Sequence, residues 1–394
     1  MRKKLGIILA IIIVFDLIAL GIVKVDRFVS SKEGEIVGEE QNAATTLSAQ
    51  EMLSKASFVA VGDNLIHDTV YEQAQARTND GSYDFSYDYA EVKKYIEEPD
   101  IAILNQETII STEHQVSSYP MFNSPPELGQ EMIDTGFDVF NIATNHSLDK
   151  GESGLISTIN YWKEKGMITT GAYLNDEDFK IPVNEVNGIK IAYLGFTEQT
   201  NGLKLPADSE VVLVLAKDEA LLESKINQAK QMADVVIVNA HWGEEYTHEP
   251  TVSEKQMAQK LCDWGADVVI GNHPHVIQPV EYITSTDGTH TMLCAYSLGN
   301  FISAQRKQAT MLGGMLNFTV VKNNSTGAIN IENVKFRGTV THYTYGMGNI
   351  RVYCLDDYTE ELAANHGIKN YAPNFSYSYL TETVSEVVDE QFLK

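Results

Sequence analysis

The chain reads as an α/β protein whose largely parallel sheet lies beyond a membrane, held there by one N-terminal helix. Three observations predict this. Short apolar runs alternate with helical patterns from Ser57 to Tyr296, several runs end in Asp, Glu, Asn or His, and residues 5–23 form an apolar stretch with a single charge. Strands separated by such helices imply βαβ units and parallel pairing.

With 394 residues and 43% hydrophobic content, the chain can build one large domain or two ordinary ones. Its net charge is −25, from 29 bases and 54 acids. A body this acidic repels a phosphate backbone, which argues against nucleic acid as a ligand. Cys262, Cys294 and Cys354 all sit in apolar surroundings. They read as small buried hydrophobes, with neither zinc spacing nor a disulfide framework among them.

In chain order, LGIILAIIIVFDLIALGIV (residues 5–23) comes first. At about 1.5 Å per residue this run spans roughly 28 Å, close to a bilayer core. Arg2, Lys3 and Lys4 precede it, so the positive-inside rule puts the N-terminus in the cytoplasm and the body on the extracellular side. The run is long for a signal peptide and no A-x-A-like site follows it, which favours an uncleaved anchor. Asp16 stands mid-run, where a carboxylate costs about 2.5–3.5 kcal/mol. It is either a tolerated, snorkelling acid or a contact to a membrane partner. Residues 24–55, with Gly, Ser, Glu, Gln and Thr, read as a linker.

The predicted strands are Phe58–Val61, Ile101–Leu104, Val139–Ala143, Ile191–Phe196, Val235–Val238, Val268–Ile270 and Met292–Tyr296. Three helical segments stand out between them. PPELGQEMIDTG has Pro126 in its first turn and Gly136 at its end; GESGLISTINYWKEKG closes at Gly166. SEKQMAQKLCDWG offers Ser253 as N-cap and Gly265 past the end. After Ile302 the pattern turns to successive strands, MLGGMLNFTVV, AINIENVKFRGTV and NIRVYCL, expected to complete a second sheet within residues 304–394. The last 25 or so residues give no clear pattern.

Five strand ends carry chemistry. They are Asp63 in GDNLIH, Glu107 in NQE, Asn145 and His146 in TNHSLD, His241 in HWGEEY, and His273 and His275 in GNHPHV. In open α/β sheets, sites form beyond the carboxyl ends of strands, so these clusters should converge. Asp63, Glu107, Asn145, His241, His273 and His275 form a mixed oxygen and imidazole donor set without thiolate. That suits two Mn, Zn or Fe ions, with Glu107 bridging. Pro274 restricts the residue before it, which partly pre-sets both ring positions. His146 is placed to protonate a leaving group or to touch an anionic substrate, and Asp149 to orient it. His67 is a further candidate ligand, one turn after Asp63 if that stretch is helical. The plainer alternatives are an Asp63 helix cap, an Asn145 turn and a packed His241.

GDNLIH, NQE, TNHSLD, HWGEEY, GNHPHV and YSLGNF, in that order, resemble the CapA/PgsA family of poly-γ-glutamate capsule biosynthesis proteins, in the calcineurin-like metallophosphatase superfamily. The resemblance covers about residues 56–303. It implies a four-layer α/β/β/α sandwich, a dinuclear site on the six donors above, His146 as the catalytic histidine, and membrane subunits of a polymer synthase complex as partners. The sequence departs from the superfamily pattern in two places. Asn64-Leu65 follow Asp63 where D-x-H is usual, and Glu107 stands for the usual bridging Asp. The expected function is therefore an anchored, outward-facing component of polymer synthesis and export. The alternative is a metal-dependent phosphoesterase or other hydrolase acting on a different substrate.

Overall fold

The computed structural model describes residues 52–394. The predicted anchor, Asp16 and most of the linker lie outside the described residues. Among those described, no helix is long and apolar enough to cross a membrane. Ser54–Lys394 form one compact unit.

Its strands, in order, are β1 (Leu53–Asn64), β2 (Ile101–Asn105), β3 (Val139–Asn141), β4 (Ile168–Thr170), β5 (Ala172–Tyr173), β6 (Val183–Val186), β7 (Ile189–Thr197) and β8 (Val212–Leu213). They continue with β9 (Val235–His241), β10 (Val268–Asn272), β11 (Val280–Thr284), β12 (Thr291–Ala295), β13 (Asn300–Ile302), β14 (Leu312–Asn323), β15 (Ile329–His342) and β16 (Arg351–Cys354). The longer helices are α1 (Asp68–Ala76), α2 (Pro126–Thr135), α3 (Gly151–Glu164), α4 (Glu219–Met232), α5 (Val252–Trp264) and α6 (Tyr377–Val387).

Two sheets result. One runs β16-β15-β14-β1-β2-β3-β4, with β13 pairing onto the end of β1; the other runs β11-β12-β10-β9-β7-β6. The strands after Ile302 therefore do not complete a second sheet: β14 adds to β1, and β15 and β16 follow as antiparallel neighbours. Apolar alternation predicts that a strand exists but not which edge it joins, and β1 was the edge left free on its outer side. The final residues are ordered too, with α6 burying Leu380 and Val384.

The pleat explains the layering. Ile191, Tyr193, Val235, Ile237, Val268 and Ile270 share one core with residues of β1–β3. Their alternates, Ala192, Leu194, Val236, Val238 and Val269, pack instead with Leu222 and Ile226 of α4 and Leu261 and Cys262 of α5. Period-two alternation sends successive side chains to opposite faces. On the first sheet, Trp162 of α3 stacks on Phe140 of β3 with centroids 4.0 Å apart. The order is helix, sheet, sheet, helix. The three cysteines are free and buried.

Local chemistry sets the helix ends. Pro126 occupies the first turn of α2, and Gly136 closes it at φ 111. Gly265 closes α5 at φ 101, but its N-cap is Thr251 rather than Ser253. Thr251 and Glu254 form a reciprocal capping box, which satisfies two amides where Ser253 would satisfy one.

Candidate metal centre

Parallel register gathers the strand ends. Asp63 sits opposite Asn105, Asn105 opposite Asn141, and His241 opposite Asn272. Each pairing aligns the carboxyl ends, so the loops that follow open onto one seam between the sheets. Glycines permit the closest approaches. A Cβ on Gly62 would collide with the Gly299 carbonyl, and one on Gly271 with the Tyr296 carbonyl.

At that seam the structure brings together Asp63, Glu107, Asn145, His146, Asp149, His241, His273 and His275, all buried. His275 Nδ1 lies 3.2 Å from Asp63 Oδ2 and 3.8 Å from Glu107 Oε2. His241 Nε2 stands 3.9 Å from Glu107 Oε1 and 2.9 Å from Asn145 Oδ1. The Asn105 amide donates to Asp63 Oδ1 at 2.8 Å and meets His241 Nδ1 at 3.2 Å. Nδ1 is thus engaged by Asn105, and Nε2 is the nitrogen turned toward the centre. His146 Nδ1 lies 2.8 Å from Asp149 Oδ2, and its Nε2 is 4.0 Å from Glu107 Oε1.

The electrostatics follow from burial. Burial, then the neighbouring Asp63, push Glu107 well above the ordinary carboxylate range. Burial, then the other imidazoles, hold His241 well below its usual value and lower His273 to about 4. Burial opposes charge on His275 too, but Glu107 and Asp63 outweigh it and raise that ring to about 9.

Both oxygens of Glu107 and Nδ1 of His273 are buried without a hydrogen-bond partner. Buried polar atoms are nearly always satisfied, and leaving a carboxylate unpaired is costly. Donor atoms of Asp63, Glu107 and His275 cluster within 4.8 Å of one another, as do those of Glu107, His241 and His273. Glu107 belongs to both groups, so these residues fit divalent cations. The backbone is shaped around the same point: His273 and His275 both adopt positive φ, 99 and 60. The His273 amide turns to the Asp63 carboxylate, 3.3 Å from Oδ2. Such conformations cost on the order of 1–3 kcal/mol each and persist where surroundings enforce them.

His67 plays a different part from the one its spacing suggested. Residues 64–67 are not helical, so it does not lie one helical turn from Asp63. It occupies the N-cap position of α1, with its ring edge-on to Phe122 and Nδ1 near Leu65 O and Ala304 N. None of the donor clusters includes it. Asp63 is the last but one residue of β1 and caps no helix. Asp16 lies outside the described residues.

Sequence reasoning missed three contributors. Asn105 orients Asp63 and His241. Asn300 places Oδ1 3.1 Å from His275 Nδ1. Glu245, in the loop opened by Gly243 at φ 89, comes within 4.8 Å of donor atoms of His273 and His275. HWGEEY showed two adjacent acids, but only the loop's turn decides which one faces the histidines.

The family model described as bacterial capsule synthesis protein PGA_cap matches residues 57–305. The chain is 35% identical over 200 residues to the PGA biosynthesis protein CapA of Bacillus subtilis (strain 168), covering 50% of each. It is 33% identical over 226 residues to the capsule biosynthesis protein CapA of Bacillus anthracis, covering 56% of this chain and 53% of that one. The chain thus matches about half the length of these curated relatives. A solved NAD nucleotidase of Haemophilus influenzae aligns at TM-score 0.44 and 13% identity, covering 73% and 58%; a likeness that slight decides nothing here.

Proposed function

This chain belongs to the bacterial capsule synthesis protein PGA_cap family, and on that premise we propose that it is an anchored, outward-facing component of poly-γ-glutamate synthesis and export with a metallophosphatase-type dinuclear centre. The observation that carries the metal reading is Glu107: fully buried, both oxygens unpartnered, and within 4 Å of nitrogens on His146, His241 and His275. Asp63, Glu107 and His275 would hold one divalent ion; Glu107, Asn145, His241 and His273 would hold the other. When bound, such ions supply hydroxide at neutral pH and clamp oxyanions.

The protein's own groups support chemistry beyond binding. Asp149 Oδ2 accepts the Phe122 amide at 2.6 Å and faces His146 Nδ1 at 2.8 Å. The pair fixes the ring with Nε2 turned toward the centre, where a leaving group would need a general acid. That geometry favours a second reading, hydrolysis of a phosphoester or a γ-glutamyl bond, which is compatible with the first. The membrane subunits contacted through Asp16, and the extracellular position, belong to the proposal and are supported by the sequence of residues 1–23.

Elemental analysis of the purified full-length chain tests the metal reading. About two transition-metal ions per chain are expected, with loss of at least one in Glu107→Gln. A metal-free wild type would overturn it. In cells, His273→Ala should reduce polymer secretion; secretion at wild-type levels would separate the centre from the capsule role.

A further inference from the structure

Two turns face each other beside the centre, and both are strained. His273 and His275 hold positive φ in one, and Tyr246 holds φ 69 in the other. A left-handed backbone is easy for glycine, as at Gly243 in the same loop, but it is an outlier for a bulky aromatic residue. Such conformations persist only where the surroundings over-determine them.

Tyr246 closes a circuit around His275. Its amide donates to the Pro274 carbonyl, between the two histidines, at 2.8 Å. Its ring lies against the His275 ring, with centroids 5.9 Å apart. Its hydroxyl accepts from Gln305 Nε2 at 3.4 Å. Gln305 Oε1 in turn accepts from Asn300 Nδ2 at 2.9 Å, and Asn300 Oδ1 lies 3.1 Å from His275 Nδ1. Lys307 Nζ braces the outer face of the phenol, 3.3 Å from the ring centroid. Gln305 and Lys307 follow β13, which pairs with the first sheet, whereas His273 and His275 follow β10 of the second. One side chain thus ties the histidine turn to the opposite sheet. Tyr246 is itself 37% exposed, so it contributes little to the core.

We infer that Tyr246 is a positioning residue for the metal centre, a clamp that holds His273 and His275 in their left-handed turn so that both imidazoles converge before a cation arrives. It acts through the ligands and is not one of them. Its effect on metal rests on the metal-centre reading; the ordering of the turn does not.

Two readouts on the full-length chain test the clamp. Tyr246→Gly suits the left-handed backbone but removes ring and hydroxyl; Tyr246→Phe keeps the ring. In competition with a chromophoric chelator, Tyr246→Gly should weaken zinc binding about 10–100-fold, the usual cost of losing a group that orients ligands. Tyr246→Phe should rescue most of that loss. In chelator-treated protein, amide hydrogen exchange across residues 271–277 should quicken about tenfold or more in Tyr246→Gly and stay near wild type in Tyr246→Phe. The urea midpoint of chelator-treated Tyr246→Gly should hold or rise, because relief of strain offsets the small loss of packing. A lowered midpoint, or a failure to fold, would make Tyr246 an ordinary structural brace and overturn the inference. Unchanged zinc affinity and unchanged exchange in Tyr246→Gly would also overturn it and leave the metal reading standing. A wild type that binds no zinc would count against the metal reading, while the exchange measurement would still decide the clamp.

Discussion

His146 Nδ1 and Asp149 Oδ2 lie 2.8 Å apart, while the other nitrogen of the same ring faces Glu107 Oε1 at 4.0 Å. The ring is therefore held at one nitrogen and free to act at the other. Asp149→Asn should lower turnover of an activated phosphodiester or a γ-glutamyl substrate by about 10²-fold, in the range of a lost general acid, and leave metal content intact. Matched loss of metal and turnover would make the pair a support of the ligands instead.

Glu245 reaches the centre from an exposed loop, whereas the other donors are buried. Glu245→Gln should leave the fold unchanged and speed metal loss to a chelator several-fold, because a neutral amide is the poorer ligand. The rate of metal release measures this; an unchanged rate would place Glu245 outside the coordination sphere.

Gly62 backs directly onto the Gly299 carbonyl where β1 meets β13, and Asp63 N–H donates to that carbonyl at 2.8 Å. A methyl group cannot fit without parting the strands. Gly62→Ala should cost about 3 kcal/mol, read by urea unfolding, and lower metal occupancy through displaced Asp63. Wild-type stability in this variant would contradict the close approach.

A second histidine pair, remote from the centre, gives a pH prediction. Burial, then Arg351, lowers His342 to about 4; burial, then His342, lowers His366 to about 3. Both are neutral when folded: His366 accepts the Ile368 amide at Nδ1 (3.0 Å), and His342 Nδ1 meets the Tyr358 hydroxyl at 2.7 Å. Because both values are depressed, their stabilisation is complete above pH 6.5 and lost as pH falls through 4 and 3. Tm should drop by several degrees between pH 6.5 and 4, and by less in His366→Gln. Equal pH dependence in the two proteins would remove this pair as the cause.

Much of this was legible in the sequence, for physical reasons. β1, β2, β9 and β10 announce themselves because buried parallel strands must be nearly all apolar, and their terminal Asp, Glu and His stand out against that background. Gly136 and Gly265 mark helix ends because few other residues tolerate their φ. What was not legible depends on tertiary placement. The sheet joined by β14 is chosen by which edge is free. His67 lost its helical spacing to Asp63 because α1 starts only at Asp68. Glu245 and Asn300 became visible once loop turns fixed where their side chains fall.

The donors divide by sheet. Asp63, Glu107 and Asn145 lie at or just past strand ends of the first, and His241, His273 and His275 at or just past strand ends of the second. Neither sheet alone supplies all six donors, and the last imidazole, His275, arrives only after Pro274. If the centre takes up cations, a nascent chain halted before that point would offer an incomplete shell, and the full one would form only once both sheets have closed against each other. Occupancy would then report a finished fold.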